Sequence, residues 1–386
     1  MATTLLISDL HLGGRLNTDV LRAAAPRALL KERLADVDRL ILLGDTVEFR
    51  HSPQREALRE GLPILADLVS ALPKGAELVM TPGNHDWTLL EGWNARRAAE
   101  QEPVPLNLTE TISASDASEA AAAIEQAVGR TLEVRYPGLW VEEGVFAMHG
   151  HYLDVHGLLP TVERIGAGAL QRFSGETVPL VATPADYERV LAPWYAFIGA
   201  SVERLSASAS TRRATTGARA YDKIKAKGPS ARAFGVGLRA GVAALNATGI
   251  GPLSAELSGQ AMIASALHAI DEVDARLNLG AEHLIFGHCH RTGPLPTDAD
   301  DAWRTRVGTQ LWNTGNWVYE PRFQASAGSD GAYWPGALVV VDGGHAPRVE
   351  RLLCDLEEED LMQNRPVQAR TGPQQAAPSD DAAVAE

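Results

Sequence analysis

Apolar residues in the first ninety positions fall into short blocks separated by longer mixed stretches. TLLI (Thr4–Ile7), RLILL (Arg39–Leu43) and ELVM (Glu77–Met80) are runs of strand length, the pattern of strands buried on both faces. Between them, Asp19–Val37 and Gln54–Ser70 repeat apolar residues at helical spacing, with Pro26 and Pro63 predicted to kink or split the helices. Strands alternating with helices predict an α/β sheet. Residues 112–128 are alanine-rich and helical in period, and Leu132–Met148 predicts two or three short strands around a Pro137-Gly138 turn.

The pattern changes from Val155 to about Asn278. Alanine, glycine, serine and arginine dominate, strand-like runs are absent, and the segment predicts a set of helices. The last of these, Gly259–Leu277, carries Met262, Ala266, Ile270 and Val273 on one face, with Ser258 placed to cap it. Strands resume at HLIF (His283–Phe286) and continue to about Leu353. The expected organisation is a core of residues 1–154 and 280–356, a helical insertion or lid at 155–279, and a disordered tail at 357–386 that is acidic and then rich in Pro, Gln and Ala.

Composition narrows the function. No apolar run approaches the ~18 residues that span a bilayer. The N-terminus enters a strand pattern at once, without a basic n-region, and the two cysteines, Cys289 and Cys354, cannot make a disulfide framework. A reduced cytoplasmic protein is expected. A formal net charge of -14 argues against general nucleic-acid affinity. The charge is uneven, however: Ser201–Ala240 holds nine basic residues against Glu203 and Asp222. Such a stretch is either a solvated helical surface or a positive wall facing an anionic substrate.

The chemistry lies in five short motifs at strand ends. SDLH (Ser8–His11), GDTVE (Gly44–Glu48) and GNHD (Gly83–Asp86) follow the first three strands; MHGH (Met148–His151) and GHCH (Gly287–His290) end two later ones. Together they bring oxygen and imidazole donors to the rim where ligands of open α/β sheets bind. Asp9 and His11 stand at i, i+2, as do His288 and His290, so each pair leaves its strand on one side. Two ions about 3.5–4 Å apart need a bridging carboxylate, for which Asp45 is the candidate.

This ordered series resembles the calcineurin-like metallophosphoesterase superfamily over roughly residues 1–155 and 280–355. The resemblance implies an α/β fold: a β-sandwich of mixed sheets flanked by helices, here with a large helical insertion. It implies that Asp9, His11, Asp45 and His290 hold one divalent metal ion and that Asp45, Asn84, His149 and His288 hold the other. His85 is then the general acid or transition-state stabiliser, with Asp86 orienting it. His151 is placed either just behind the ligands or at the substrate, and Asn313 at the substrate. A hydroxide between the ions would attack phosphorus in line, and the mixed donors suit Mn²⁺, with Fe²⁺ or Zn²⁺ as alternatives.

Within the superfamily, SDLHLGG, GDTVEF, MHGH and WNTGNWVYEP (Trp312–Pro321) are similar to the bacterial UDP-diacylglucosamine pyrophosphohydrolase-like branch, although this insertion is longer and the third motif has His85 where that branch often has arginine. The resemblance implies dimetal-dependent hydrolysis of a phosphoester or pyrophosphate bond in a small or lipid-linked substrate. The run APWYAFIGA (Ala192–Ala200) offers either a greasy slot or an interfacial helix, with peripheral contact at the inner face of the membrane, or plain packing of the insertion on the core. A DNA nuclease or phosphodiesterase, and a non-catalytic scaffold on the same fold, are the competing functions. The acidic charge weighs against the first and the full donor set against the second.

Overall fold

The computed structural model describes residues 2–101, 104–204, 229–256, 259–321 and 328–363. Its strands are β1 (Thr3–Ile7), β2 (Arg39–Leu43), β3 (Glu77–Thr81), β4 (Thr109–Ser113), β5 (Glu133–Glu142), β6 (Val145–Met148), β7 (His283–Phe286), β8 (Thr292–Gly293), β9 (Gln310–Thr314), β10 (Ala337–Asp342) and β11 (Arg348–Arg351). They pair in the order β11-β10-β1-β2-β3-β5-β6-β7-β9-β8, with β4 added to β5. β1, β2 and β3 run parallel, joined through α1 (Ala24–Leu34) and α2 (Gln54–Val69), and β10 closes on β1 antiparallel.

β5 is shared by two halves of this mixed sheet. Its start pairs with β3 and its end with β6. The halves fold face to face: Leu6, Ile41, Leu43, Val79, Val339 and Val341 meet Leu139, Val141, Val145, Ala147 and Ile285 in one apolar layer. The alternate residues Leu5, Ile7, Leu40, Leu42, Leu78 and Met80 share a second core with Leu30, Leu34, Leu65 and Leu68 of the helices. Each strand is thus apolar on both faces because each face is covered. This is the sandwich with flanking helices expected from the sequence.

Several boundaries differ from the sequence reading. The expected helix over Asp19–Val37 is split as anticipated: a 3-10 turn over Val20–Arg22 and an extended Ala23 precede α1, whose first turn holds Pro26, where a missing N–H costs nothing. Residues 112–113 belong to β4; the Ser113 hydroxyl then accepts the Asp116 N–H to start α4 (Ala114–Ala117), and Ser118 likewise caps α5 (Glu119–Val128). Pro137 and Gly138 form no turn but lie inside the ten-residue β5. A Cβ on Gly138 would lie 2.6 Å from the Phe146 ring, so the glycine serves strand packing. The expected disordered tail begins too early: a short helix over Glu358–Met362 holds Leu361 at 1% exposure.

The insertion leaves the core after β6. It contains α6 (Leu153–His156), α7 (Val162–Ser174), α8 (Pro184–Val202), α9 (Pro229–Ala247) and α10 (Gly259–Leu277), and α11 (Glu358–Met362) follows the last strand. Most of the basic stretch, Ser258 and the sequence after residue 363 lie outside the described residues. α8 docks through Tyr187, Val190, Leu191, Tyr195 and Ile198. Tyr187 stacks on Tyr152, with ring centroids 4.5 Å apart. Glu188 is enclosed beside them, accepting the Tyr136 hydroxyl at 2.5 Å and the Tyr152 hydroxyl at 2.9 Å. The aromatic run of α8 therefore divides: Tyr195 faces inward and Phe197 is 61% exposed. Among the described residues, no helix is long and apolar enough to cross a membrane.

Candidate active site

The five motifs converge at one end of the sandwich. Asp9, His11, Asp45, His288 and His290 all have φ between 47° and 66°, a region that residues with a Cβ seldom enter. The strands end abruptly there and the chain turns sharply enough to aim neighbouring side chains into one space. Such backbone costs of order 1–3 kcal/mol per residue and persists where a function requires it. Two glycines permit the crowding. A Cβ on Gly44 (φ +88°) would lie 2.2 Å from the His149 ring, and one on Gly83 would lie 2.3 Å from Asp45 Oδ1.

Two donor groups form. In the first, His290 Nε2 lies 3.2 Å from Asp9 Oδ1 and 3.2 Å from His11 Nε2. In the second, His149 Nε2 lies 3.3 Å from Asp45 Oδ2 and 3.2 Å from Asn84 Oδ1, and His288 Nδ1 lies 3.1 Å from that same oxygen. Asp45 Oδ2 is also 3.8 Å from His11 Nε2, so this carboxylate faces both groups. All seven residues expected to hold metal are thereby brought together.

The outer hydrogen bonds decide which atoms face inward. His149 Nδ1 donates to the Leu43 carbonyl at 2.9 Å, leaving Nε2 with its lone pair toward Asp45. His288 Nε2 lies 3.0 Å from Asp154 Oδ1, leaving Nδ1 inward. Asp9 Oδ1 is buried without a hydrogen-bond partner. Imidazole lone pairs, carboxylate oxygens and the Asn84 side chain thus converge on two points. With the imidazoles neutral, these mixed nitrogen and oxygen donors fit two divalent ions; without an ion, imidazole protons can bridge them to the carboxylates. Burial alone would push the Asp9 and Asp45 carboxyls up; the facing imidazoles outweigh it and hold both well below the usual range. Burial likewise lowers His149, but the Asp45 charge prevails and raises it to about 9.

Glu48 has a larger part than its place in GDTVE suggested. One oxygen, Oε2, lies 2.9 Å from His11 Nδ1 and 2.8 Å from His85 Nδ1, while Oε1 accepts the backbone N–H groups of Arg50 and His51. It therefore orients both a donor of the first group and the candidate acid. Asp86, expected to orient His85, does something else. Its carboxylate accepts the backbone N–H of Gly83 at 2.7 Å and of Thr46 at 2.8 Å, locking two motif loops together. Burial and the Asp45 charge push Asp86 up to about 7, against the pull of those amides. Burial lowers His85 to about 4 despite the pull of Glu48 and Asp45.

The two expected substrate contacts also turn away. His151 is 0% exposed, with Nε2 3.1 Å from the Tyr136 hydroxyl beneath the site. Gly150 between it and His149 has φ +105°, so the two histidines diverge. Asn313 is buried too; it donates to the Gly287 carbonyl at 2.9 Å and to Cys289 Sγ at 3.2 Å, bracing the GHCH loop. Asp154 was missed, although it is the sole acidic residue from Val145 to Gly157. Its second oxygen accepts the Tyr195 hydroxyl of α8 at 2.9 Å, tying the insertion to His288.

A cavity of about 620 Å³ opens beside Asp45, Asn84, His85, His288 and His290. The insertion forms its far wall, with Leu159 and Pro160 before α7 and Met262, Ile263, Ala266 and Ala269 from α10. A charged floor thus meets an apolar wall.

Residues 2–188 match the family model described as Calcineurin-like phosphoesterase, a span that contains Asp9, His11, Asp45, Asn84, His85 and His149. A crystal structure of a dimetal phosphatase from Danio rerio is similar at 13% identity, covering 91% of this chain and 99% of that one with a TM-score of 0.31. No curated protein matches. Residues 2–188, just under half of the chain, thus resemble calcineurin-like phosphoesterases, a likeness that points to phosphoester hydrolysis.

Proposed function

We propose that the chain hydrolyses a phosphoester or pyrophosphate bond at two divalent ions, one held by Asp9, His11, Asp45 and His290 and the other by Asp45, Asn84, His149 and His288. The observation that carries this reading is Asp45 Oδ2, which faces His149 Nε2 at 3.3 Å and His11 Nε2 at 3.8 Å from between the two groups. When bound, the ions would supply Lewis-acid activation of water and neutralise phosphoryl charge; Mn²⁺ suits the donors, as do Fe²⁺ and Zn²⁺.

The chain's own residues do the rest. Glu48 fixes His85 by Nδ1, which leaves Nε2 at the cavity to exchange a proton with a phosphoryl or leaving oxygen. Asp154 and the Leu43 carbonyl set the tautomers of His288 and His149. The apolar wall supports a substrate with an apolar part beside the phosphate, in keeping with the pyrophosphohydrolase-like branch and a lipid-linked ester. Phe173, Leu180, Val181 and Phe197, exposed on the insertion, favour peripheral contact with a membrane surface. A walled cavity of about 620 Å³ favours a compact ester over duplex DNA.

The test is metal content measured alongside Mn²⁺-dependent hydrolysis of phosphomonoesters and diesters of increasing alkyl length. About two equivalents of metal are expected, with activity lost in Asp45→Ala and reduced by about 10²–10⁴-fold in His85→Ala. Activity that is independent of chain length would sink the apolar-substrate reading. A metal-loaded wild type inert toward every ester would sink the catalytic one.

A further inference from the structure

Arg50 lies two residues past Glu48, in the loop that leads from β2 to α2. It is 8% exposed, and its backbone N–H is fixed by Glu48 Oε1 at 2.9 Å. One guanidinium nitrogen, Nη2, is ion-paired with Glu163 in the first turn of α7. The other, Nη1, lies 3.0 Å from the outward atom of the Asn84 side-chain amide. When the Asn84 oxygen faces the second donor group, as a metal ion requires, that outward atom is the amide nitrogen. A donor then faces a donor, and Nη1 lacks an acceptor there.

Arg50 and Glu163 both line the cavity beside Asp45, Asn84 and His85. Arg164, the next residue of α7, lines it as well. It is 4% exposed, donates from Nε to the Gly157 carbonyl at 2.8 Å, and has a partnerless Nη1 and no ion pair among the described residues. A buried guanidinium without a carboxylate is costly unless an anion comes to it. Of the carboxylates on the wall, Asp45 faces the donor groups and Asp154 holds His288. Glu163 alone is engaged only with an arginine.

We propose that Arg50 is the arginine that binds the substrate's phosphoryl oxyanion and that Glu163 occupies it as a resident substitute. The incoming anion displaces the Glu163 carboxylate, so anion binding by the core and docking of the first turn of α7 compete. Arginine binds a tetrahedral oxyanion through two nitrogens at once, and here the second of them is Nη2, which Glu163 holds. Each binding event therefore unlatches the insertion at α7, and each release of product latches it again. This inference rests on the proposed dimetal phosphoesterase site.

The test is calorimetric titration of inorganic phosphate into the Mn²⁺-loaded full chain, for wild type, Glu163→Gln, Arg50→Ala, the double variant and Asp45→Ala. Glu163→Gln is expected to tighten phosphate binding about fivefold or more. Arg50→Ala is expected to weaken it, and in that background Glu163→Gln is expected to have no further effect. In wild type, saturating phosphate should lower hydrogen-exchange protection at the start of α7, a readout that does not depend on any variant folding. Unchanged or weaker binding in Glu163→Gln, or unchanged α7 protection, overturns the latch. Binding lost in Asp45→Ala but intact in Arg50→Ala overturns the arginine's role and leaves the metal site standing. No phosphate binding to any form overturns both.

Discussion

Glu48 and Asp86 are both buried carboxylates at motif ends, yet they face different partners, and the difference is measurable. Glu48 touches two imidazoles that face the reaction space; Asp86 touches only peptide N–H groups. Glu48→Gln is expected to lower kcat and metal affinity by about 10–100-fold, with little change in the urea midpoint. Asp86→Asn would turn an amide N–H toward backbone donors and is expected to cost about 2–3 kcal/mol of stability. Steady-state kinetics and denaturant unfolding of both variants decide the matter; the reverse pattern would exchange the two roles. The donors themselves were legible because metal sites need particular atoms at strand ends, and motifs record residue type and order. Where a neighbour points is not recorded. His151 and Asn313 have suitable chemistry, but Gly150 turns one down and the GHCH loop consumes the hydrogen bonds of the other. Glu48 was legible as a motif letter and not as a clamp, since its two imidazoles come from different loops.

At the scale of elements, the docking of α8 is the feature with a pH signature. Glu188 brings an ionisable group between Tyr136 of β5 and Tyr152, and burial raises its carboxyl above the usual value in spite of the two tyrosine hydroxyls. The folded protein therefore holds the proton more tightly than the unfolded chain. Its contribution to stability is complete below the ordinary carboxylate range and declines as pH rises through that range toward the raised folded value. Glu188→Gln should flatten the fall in urea midpoint as pH rises above the ordinary carboxylate range, measured under a chelator. Equal slopes in wild type and variant would show that the carboxyl is not so enclosed. Elements with strong periodicity, such as β1, β2 and α10, were legible; those decided by context were not. Ser113 ends a strand and starts a helix by its cap, and Pro137-Gly138 sits in a strand because β5 is crossed there by the Phe146 ring.

At the scale of the molecule, the donor groups draw on both halves of the sandwich. Asp9, Asp45 and Asn84 follow β1, β2 and β3; His149, His288 and His290 follow β6 and β7. Ions bound between them would join the halves and offset the strained backbone at five donors. Chelation should therefore lower stability: metal at about 100 times its Kd adds about 2.7 kcal/mol per site. The urea midpoint should fall with chelator, recover with Mn²⁺ and lose most of that response in Asp45→Ala. An unchanged wild-type midpoint would mean that the donors hold no ion tightly.

The central place of β1 has a consequence for how the molecule is made. It pairs with β2 on one side and with β10 on the other, and β10 is translated some three hundred residues later. His288 meets Asp9 across 279 residues of chain. A ribosome-bound chain that has emerged only as far as β6 presents β1 as an open edge, and His288 and His290 are still to be synthesised long afterwards. Loop closure of that length is slow, and an unpaired apolar edge is prone to aggregation while it waits. The helices of the insertion fill that interval in synthesis, so their length also sets how long the nascent core must be protected before it can close.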